Sequence, residues 1–133
     1  MPPIHSTALV CTAVLGLLLF GLGMAVSGAR GRARLLIGQP ADPDHLLNRL
    51  VRAHGNTAEY APFLALLFLL HGARQPSDLV LGLVWAATAA RVVFVIGLLT
   101  ARTLARPSPL RFVGALATYV TGAWLAVLAA LPT

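Results

Sequence analysis

Apolar residues in this chain gather into four long runs separated by short polar linkers. The first extends from Ser6 to Gly28, the third from about Leu79 to Leu99 and the fourth from about Leu110 to Leu131. About 20 apolar residues suffice to cross a bilayer core as a helix. Inside lipid the backbone must satisfy its own hydrogen bonds, so such runs predict helices. The second run differs. Its uncharged part, Tyr60 to Leu70, is too short to span, so the helix has to extend backward through Glu59, Asn56, Arg52 and Arg49. The pattern predicts an all-α integral membrane protein. It is a single domain, residues 1–133, forming a four-transmembrane-helix bundle with helices at about 6–28, 46–72, 78–99 and 110–131.

The polar positions of the second helix are ordered. At about 100° per residue, Arg49, Arg52, Asn56, Glu59 and Tyr60 fall in one stripe about 100° wide. His54 falls on the opposite side. Snorkelling to the interface accounts for Arg49 alone, but Asn56 and Glu59 reach too deep for it. Arg91 is a second intramembrane charge, near the middle of the third run. A central arginine costs about 2.5–3.5 kcal/mol on insertion scales, so it calls for a partner. Glu59 and Arg91 sit at similar depth on oppositely directed helices, which predicts a structural ion pair between them. Pro62 removes one backbone hydrogen bond, frees the carbonyl of Ala58 and is a point where the helix can kink.

Composition agrees with a membrane protein. Of 133 residues, 58% are hydrophobic and 11% charged, against about 25% charged in soluble domains. All ten basic residues are arginine, and the formal charge is +6. These arginines border the apolar runs and form no aromatic-laced basic patch, so nucleic acid is not the expected partner. Arg30, Arg32 and Arg34 in the first linker, and Arg102 and Arg106 in the third, lie on one side. By the positive-inside rule that side is cytoplasmic, with both termini outward, as in a bacterial inner membrane. A cleaved signal peptide is the competing reading of the first run, but no positive charge precedes it and its apolar stretch is long for a signal core. Cys11 stands alone, and His5, His45, His54 and His71 lack metal-ligand spacing, so no metal is expected. Asp42 and Asp44 read as loop and helix-start residues. Gly16, Gly21, Gly23, Gly82, Gly97, Gly114 and Gly122 suit close helix contacts.

The second-helix segment Arg52-Ala-His-Gly-Asn-Thr-Ala-Glu-Tyr-Ala-Pro-Phe-Leu64 resembles the signature of the MAPEG superfamily, the membrane-associated proteins of eicosanoid and glutathione metabolism. Asp42-Pro-Asp44, Arg49, the four runs and Ala90-Arg91 followed by Gly97 extend the resemblance over the whole chain. It implies a bacterial-type member, a homotrimer among membrane lipids, with glutathione as co-substrate bound between subunits near the cytoplasmic side. Arg52, Asn56, Glu59 and Tyr60 would line that site, and Arg30 or Arg32 would meet a glutathione carboxylate. Arg111 is similar to the arginine credited with activating the thiol. The implied activity is that of a microsomal-type glutathione transferase or peroxidase acting on lipophilic electrophiles. The chemistry is coherent: arginine forks suit carboxylates, Glu59 suits the amine, and an arginine beside sulfur stabilises a thiolate.

The chain also departs from the catalytic members of that family. Phe94 and Leu98 stand where several carry aromatic or histidine residues that contact the tripeptide. Gly55 replaces a further arginine, and Phe112 stands where one prostaglandin-forming member has serine. These departures support a second reading, a noncatalytic lipid-binding or scaffold member. A third, a small multidrug-type transporter, fits the span count, but such transporters use an acidic residue deep in the first helix, which is absent here.

Overall fold

The computed structural model describes residues 3–131. Four helices follow in order: α1 (Ser6–Ala33), α2 (Leu46–Gly72), α3 (Asp78–Thr100) and α4 (Pro109–Ala130), and no strand occurs among the described residues. This is the all-α four-helix membrane fold the apolar runs predict. α1, α3 and α4 are each long and apolar enough to cross a membrane. α2 falls short of that measure, as its polar stripe requires. At 27 residues and about 1.5 Å per residue it is nonetheless about 40 Å long and runs beside the others.

Local chemistry sets the helix ends. His5 and His45 cap α1 and α2, each Nδ1 accepting a backbone N–H, from Thr7 at 3.2 Å and Leu47 at 3.1 Å. Asp42 does not cap α2; its Oδ1 accepts the Asp44 N–H at 3.0 Å and closes a turn ahead of it. Asn48 ties that turn down, Nδ2 donating to the Pro40 and Asp42 carbonyls. Pro109 opens α4 at a position where its missing N–H costs nothing. α1 continues past the expected stop at Gly28 to Ala33. Arginine is a good helix former, and cations favour a helix C-terminus, so Arg30 and Arg32 prolong the helix rather than end it.

Packing is uneven around the bundle. α1 lies along α2 and α3 along α4, while α2 meets α3 and only a short part of α4; α1 and α4 do not touch. The α3–α4 seam is close because of two glycines. A Cβ on Gly114 would fall 2.7 Å from the Phe94 nitrogen, and one on Gly97 would fall 2.8 Å from the Arg111 nitrogen. Gly16, Gly21 and Gly82 meet nothing within the chain, so the packing role expected of them does not arise here. His54, on the face away from the polar stripe, rests against α1 at Gly23. α2 runs unbroken through Pro62.

The interior divides in two. One apolar cluster includes Cys11, Leu15, Leu64, Phe68, Val84 and Leu125. The other includes Leu22, Leu47, Leu50, Ala53, Val95 and Leu98. Between them along α2 and α3 lie the buried Asn56, Thr57, Thr88 and Arg91. Thr88 and Thr118 satisfy their hydroxyls on their own helices, donating to Val84 and Gly114 carbonyls. Across helices, Arg91 Nη2 donates to Asn56 Oδ1, while Arg91 Nε is buried without a hydrogen-bond partner among the described residues.

Candidate functional site

Arg91 anchors the site. It is 1% exposed, the largest fully buried side chain among the described residues. Its Nη2 donates to Asn56 Oδ1 at 2.8 Å, and Asn56 Nδ2 donates to Glu59 Oε2 at 3.3 Å. The direct Glu59–Arg91 pair expected from depth is therefore replaced by a relay through Asn56. Helical geometry explains the substitution. Three residues at about 100° each set Glu59 about 60° around α2 from Asn56. Asn56 faces α3 and is buried, whereas Glu59 turns outward and is exposed.

Two aromatic rings complete the housing of the guanidinium. Its carbon stands 5.3 Å from the Tyr60 ring centre and 5.0 Å from that of Phe94. At such distances the electron-rich ring face attracts a cation, more strongly when water is excluded. Phe94 thus has a structural task, although the sequence comparison read it only as a missing polar tip. Tyr60 also meets Tyr119 of α4, ring centres 5.6 Å apart and tilted at 45°. Tyr119 escaped the sequence reading because α4 read as an ordinary span. A signal was available: its phenol lies ten residues beyond Pro109, too deep for a headgroup belt.

Beside this layer is a groove of about 420 Å³ between α2 and α4. Glu59, Tyr60, Thr118 and Tyr119 supply its polar atoms; Phe63, Leu64 and Leu67 are among its apolar walls. The groove therefore places one carboxylate and two phenols next to a surface suited to an apolar chain.

The other expected residues are distributed differently. Arg52 is exposed and lines a separate depression of about 380 Å³ with Gln39, Asn48, Gly55 and Leu104. The absence of a side chain at Gly55 helps keep that depression open. Arg111 is half-buried at the start of α4, where Nη1 donates to the Leu104 carbonyl at 3.3 Å and the Arg106 carbonyl at 3.0 Å. Through Leu104 it stands behind the wall that Arg52 faces. Arg30 lies on the other side of α2, in a groove between α1 and α2 that also holds His54. Arg32 is exposed beside Gly28. Within one chain, then, Asn56, Glu59, Tyr60 and Arg91 form a connected cluster, Arg52 and Arg111 flank it, and Arg30 and Arg32 do not converge on it. Arg49 serves the fold: Nη1 donates to the Leu99 and Ala101 carbonyls, both at 2.9 Å, and so closes the end of α3.

Comparison with curated proteins yields no match. Comparison with known families matches residues 8–131, nearly the full length, to the MAPEG family. That span contains the α2 polar stripe, the buried Arg91 and the four-helix fold, and the chain belongs to the MAPEG family.

Proposed function

We propose that this MAPEG-family protein binds glutathione along the polar face of α2 and directs its thiol at lipophilic electrophiles. The observation that carries the reading is the relay from Arg91 through Asn56 to Glu59. A buried cation holds an outward-facing carboxylate beside a lipid-accessible groove. Glu59 suits the glutathione amine, and Arg52 suits a carboxylate. A second carboxylate would be met by Arg30 or Arg32 of another copy, because these lie across α2 from the stripe. A homotrimer satisfies that requirement, and it would also cover Glu59 from lipid. The arginine-rich linkers face the cytoplasm of a bacterial inner membrane in this reading, with both termini outward.

Arg111 provides positive charge near the bound sulfur and stabilises the thiolate. The sulfur lone pair forms a bond to the electrophilic carbon. The displaced electron pair goes to the leaving group or carbonyl oxygen, which takes a proton from water. With a hydroperoxide, the thiolate attacks the terminal oxygen and the O–O bond breaks, leaving a sulfenic acid on glutathione and an alkoxide that takes a proton from water to leave as the alcohol; the thiol of a second glutathione then attacks the sulfenic sulfur, releasing water and leaving the disulfide. The apolar acceptor enters along Phe63, Leu64 and Leu67 with its polar end toward Tyr60 and Tyr119.

The test is glutathione binding and conjugation by the detergent-solubilised protein. Arg52→Ala lowers affinity about tenfold or more, the value of a charge-assisted hydrogen bond. Arg111→Ala leaves binding near wild type and reduces turnover about 100-fold. A wild-type protein that binds no glutathione at millimolar concentration rejects the proposal. A second reading, a noncatalytic lipid-binding member, draws on Leu98, which is 1% exposed in the core, and on Phe94, whose ring is engaged by Arg91. Glutathione-independent retention of lipid together with absent conjugation supports that reading.

A further inference from the structure

We propose that Tyr119 makes the groove between α2 and α4 selective for neutral acceptors, alkyl chains carrying an uncharged oxygen such as an alkenal, and against chains that end in a carboxylate. The inference rests on the reading of the α2 cleft given above and names the acceptor class of that site. The groove has two unlike ends. Tyr60 meets Tyr119 and Leu64 meets Gly122, so α2 and α4 run in the same direction along it. The two phenols stand at one end, and Leu67 and Ala126 line the other. Leu67 lies seven residues beyond Tyr60, and Ala126 seven beyond Tyr119. At 1.5 Å per residue the channel is about 10 Å long, the reach of a medium-length alkyl chain. Gly122 lies between the ends and places no side chain in the channel; a Cβ there already stands 3.4 Å from Leu64 Cδ2.

The phenol end supplies a hydrogen-bond donor and no cation. Thr118 spends its hydroxyl on the Gly114 carbonyl at 2.7 Å. Glu59 accepts from Asn56 and, ionised, has no proton to donate. Each phenol carries one O–H, and even a bond between the two would use one and leave the other. Tyr119 is 51% exposed and lines the groove, so its O–H is within reach of a ligand arriving from lipid. No arginine or histidine lines the groove. Arg91, over the Tyr60 ring, is 1% exposed and stays behind it. A ligand carboxylate here would give up its water beside Glu59 with no cation to meet it, which is costly. The glutathione amine does not change this, because Glu59 takes up its charge. A neutral carbonyl oxygen accepts the phenol O–H at little cost, and its chain lies along Phe63, Leu67 and Ala126.

The experiment uses the full chain in phosphatidylcholine nanodiscs and four compounds at matched membrane concentration: nonenal, the same enal ending in a carboxylate, the methyl ester of that acid, and nonyl chloride. Binding is read without glutathione, as protection of α2 and α4 from labelling by a diazirine-bearing alkyl ketone. On the wild type, nonenal and the ester protect at concentrations about tenfold or more below the acid. Tyr119→Phe keeps the ring beside Tyr60 and removes only the O–H. It weakens protection by nonenal about fivefold, the value of one hydrogen bond, and leaves nonyl chloride, which has no oxygen, at the wild-type level. Gly122→Leu fills the channel and weakens nonenal and nonyl chloride alike. Equal protection by the acid and its ester overturns the proposal. So does a Tyr119→Phe loss as large for nonyl chloride as for nonenal, which would reflect repacking alone. So does labelling by the ketone that falls outside α2 and α4. Because protection needs no glutathione, a chain that shows the neutral preference and conjugates nothing rejects the glutathione reading alone, and the two failures are separate results.

Discussion

The two halves of the bundle are built on different chemistry. Toward the α2–α3 turn, Cys11, Leu15, Leu64, Phe68, Val84 and Leu125 make an apolar interior. Its buried imidazole, His71, is satisfied by the Leu125 carbonyl at 2.9 Å from Nε2. Toward the arginine-rich linkers, the Leu22–Leu50–Leu98 cluster abuts a layer that holds an arginine and an asparagine. The first half is specified mainly by shape, with that one imidazole contact linking α2 to α4. The second adds a directional requirement: Arg91 must find Asn56, and that fixes how α2 and α3 sit against each other. It also turns Glu59 outward. The polar half therefore carries both the register and the chemistry, and substitutions should separate the two halves.

The largest effect is expected at Asn56. Asn56→Ala strands a buried guanidinium between two rings and should cost about 3–5 kcal/mol, read from unfolding in mixed micelles of increasing denaturing detergent. Arg91→Met removes the charge itself and leaves only an unpaired amide, so its cost should be smaller, about 1–3 kcal/mol. Combining the two should recover part of the Asn56→Ala loss, because no charge remains to strand. If Arg91→Met proves the more damaging single change, the rings rather than the amide hold the layer.

Next comes the seam between α3 and α4. Gly114→Ala sets a methyl group against the Phe94 backbone, which has no flexible end to yield, and should cost about 1–3 kcal/mol. Gly16→Ala, on a surface that meets nothing within the chain, should show no loss in the monomer. A loss confined to the assembled protein would place Gly16 at a contact between copies.

Much of this was legible in the sequence because lipid imposes a simple rule. Apolar runs of sufficient length must be helices, so α3 and α4 were bounded to within a residue or so. The 100° spacing likewise put Asn56, Glu59 and Tyr60 on one face before any contact was known. Three things escaped for physical reasons. Charge and depth point Arg91 toward Glu59, but a 60° offset on α2 decides between a carboxylate and an amide, and neither charge nor depth carries that direction. Tyr119 was missed because one phenol in an apolar helix has no periodicity to reveal it. Periodicity orders residues on one helix and says nothing about which side of α2 a neighbouring helix occupies, so it does not place Arg30 and Arg32 relative to the stripe.

The smaller effects concern arginines that close helix ends, one in each half. Arg49 is half-buried and holds two carbonyls at the end of α3, so Arg49→Ala should cost about 1–2 kcal/mol. Arg74 is exposed and donates to the Ala129 carbonyl near the end of α4 at 2.9 Å. Water competes for that bond, so Arg74→Ala should cost about 0.3–1 kcal/mol, less than Arg49→Ala. Salt distinguishes them more sharply than magnitude. Raising ionic strength to about 1 M shrinks the screening length to about 3 Å, which should abolish most of the Arg74 contribution and spare most of that from Arg49. Stability of both variants against wild type, measured at low and high salt, tests this directly. Equal salt sensitivity would mean that the two ends are equally wet, and the contrast between an apolar half and a polar half would then stop at the Arg91 layer rather than reach the linkers.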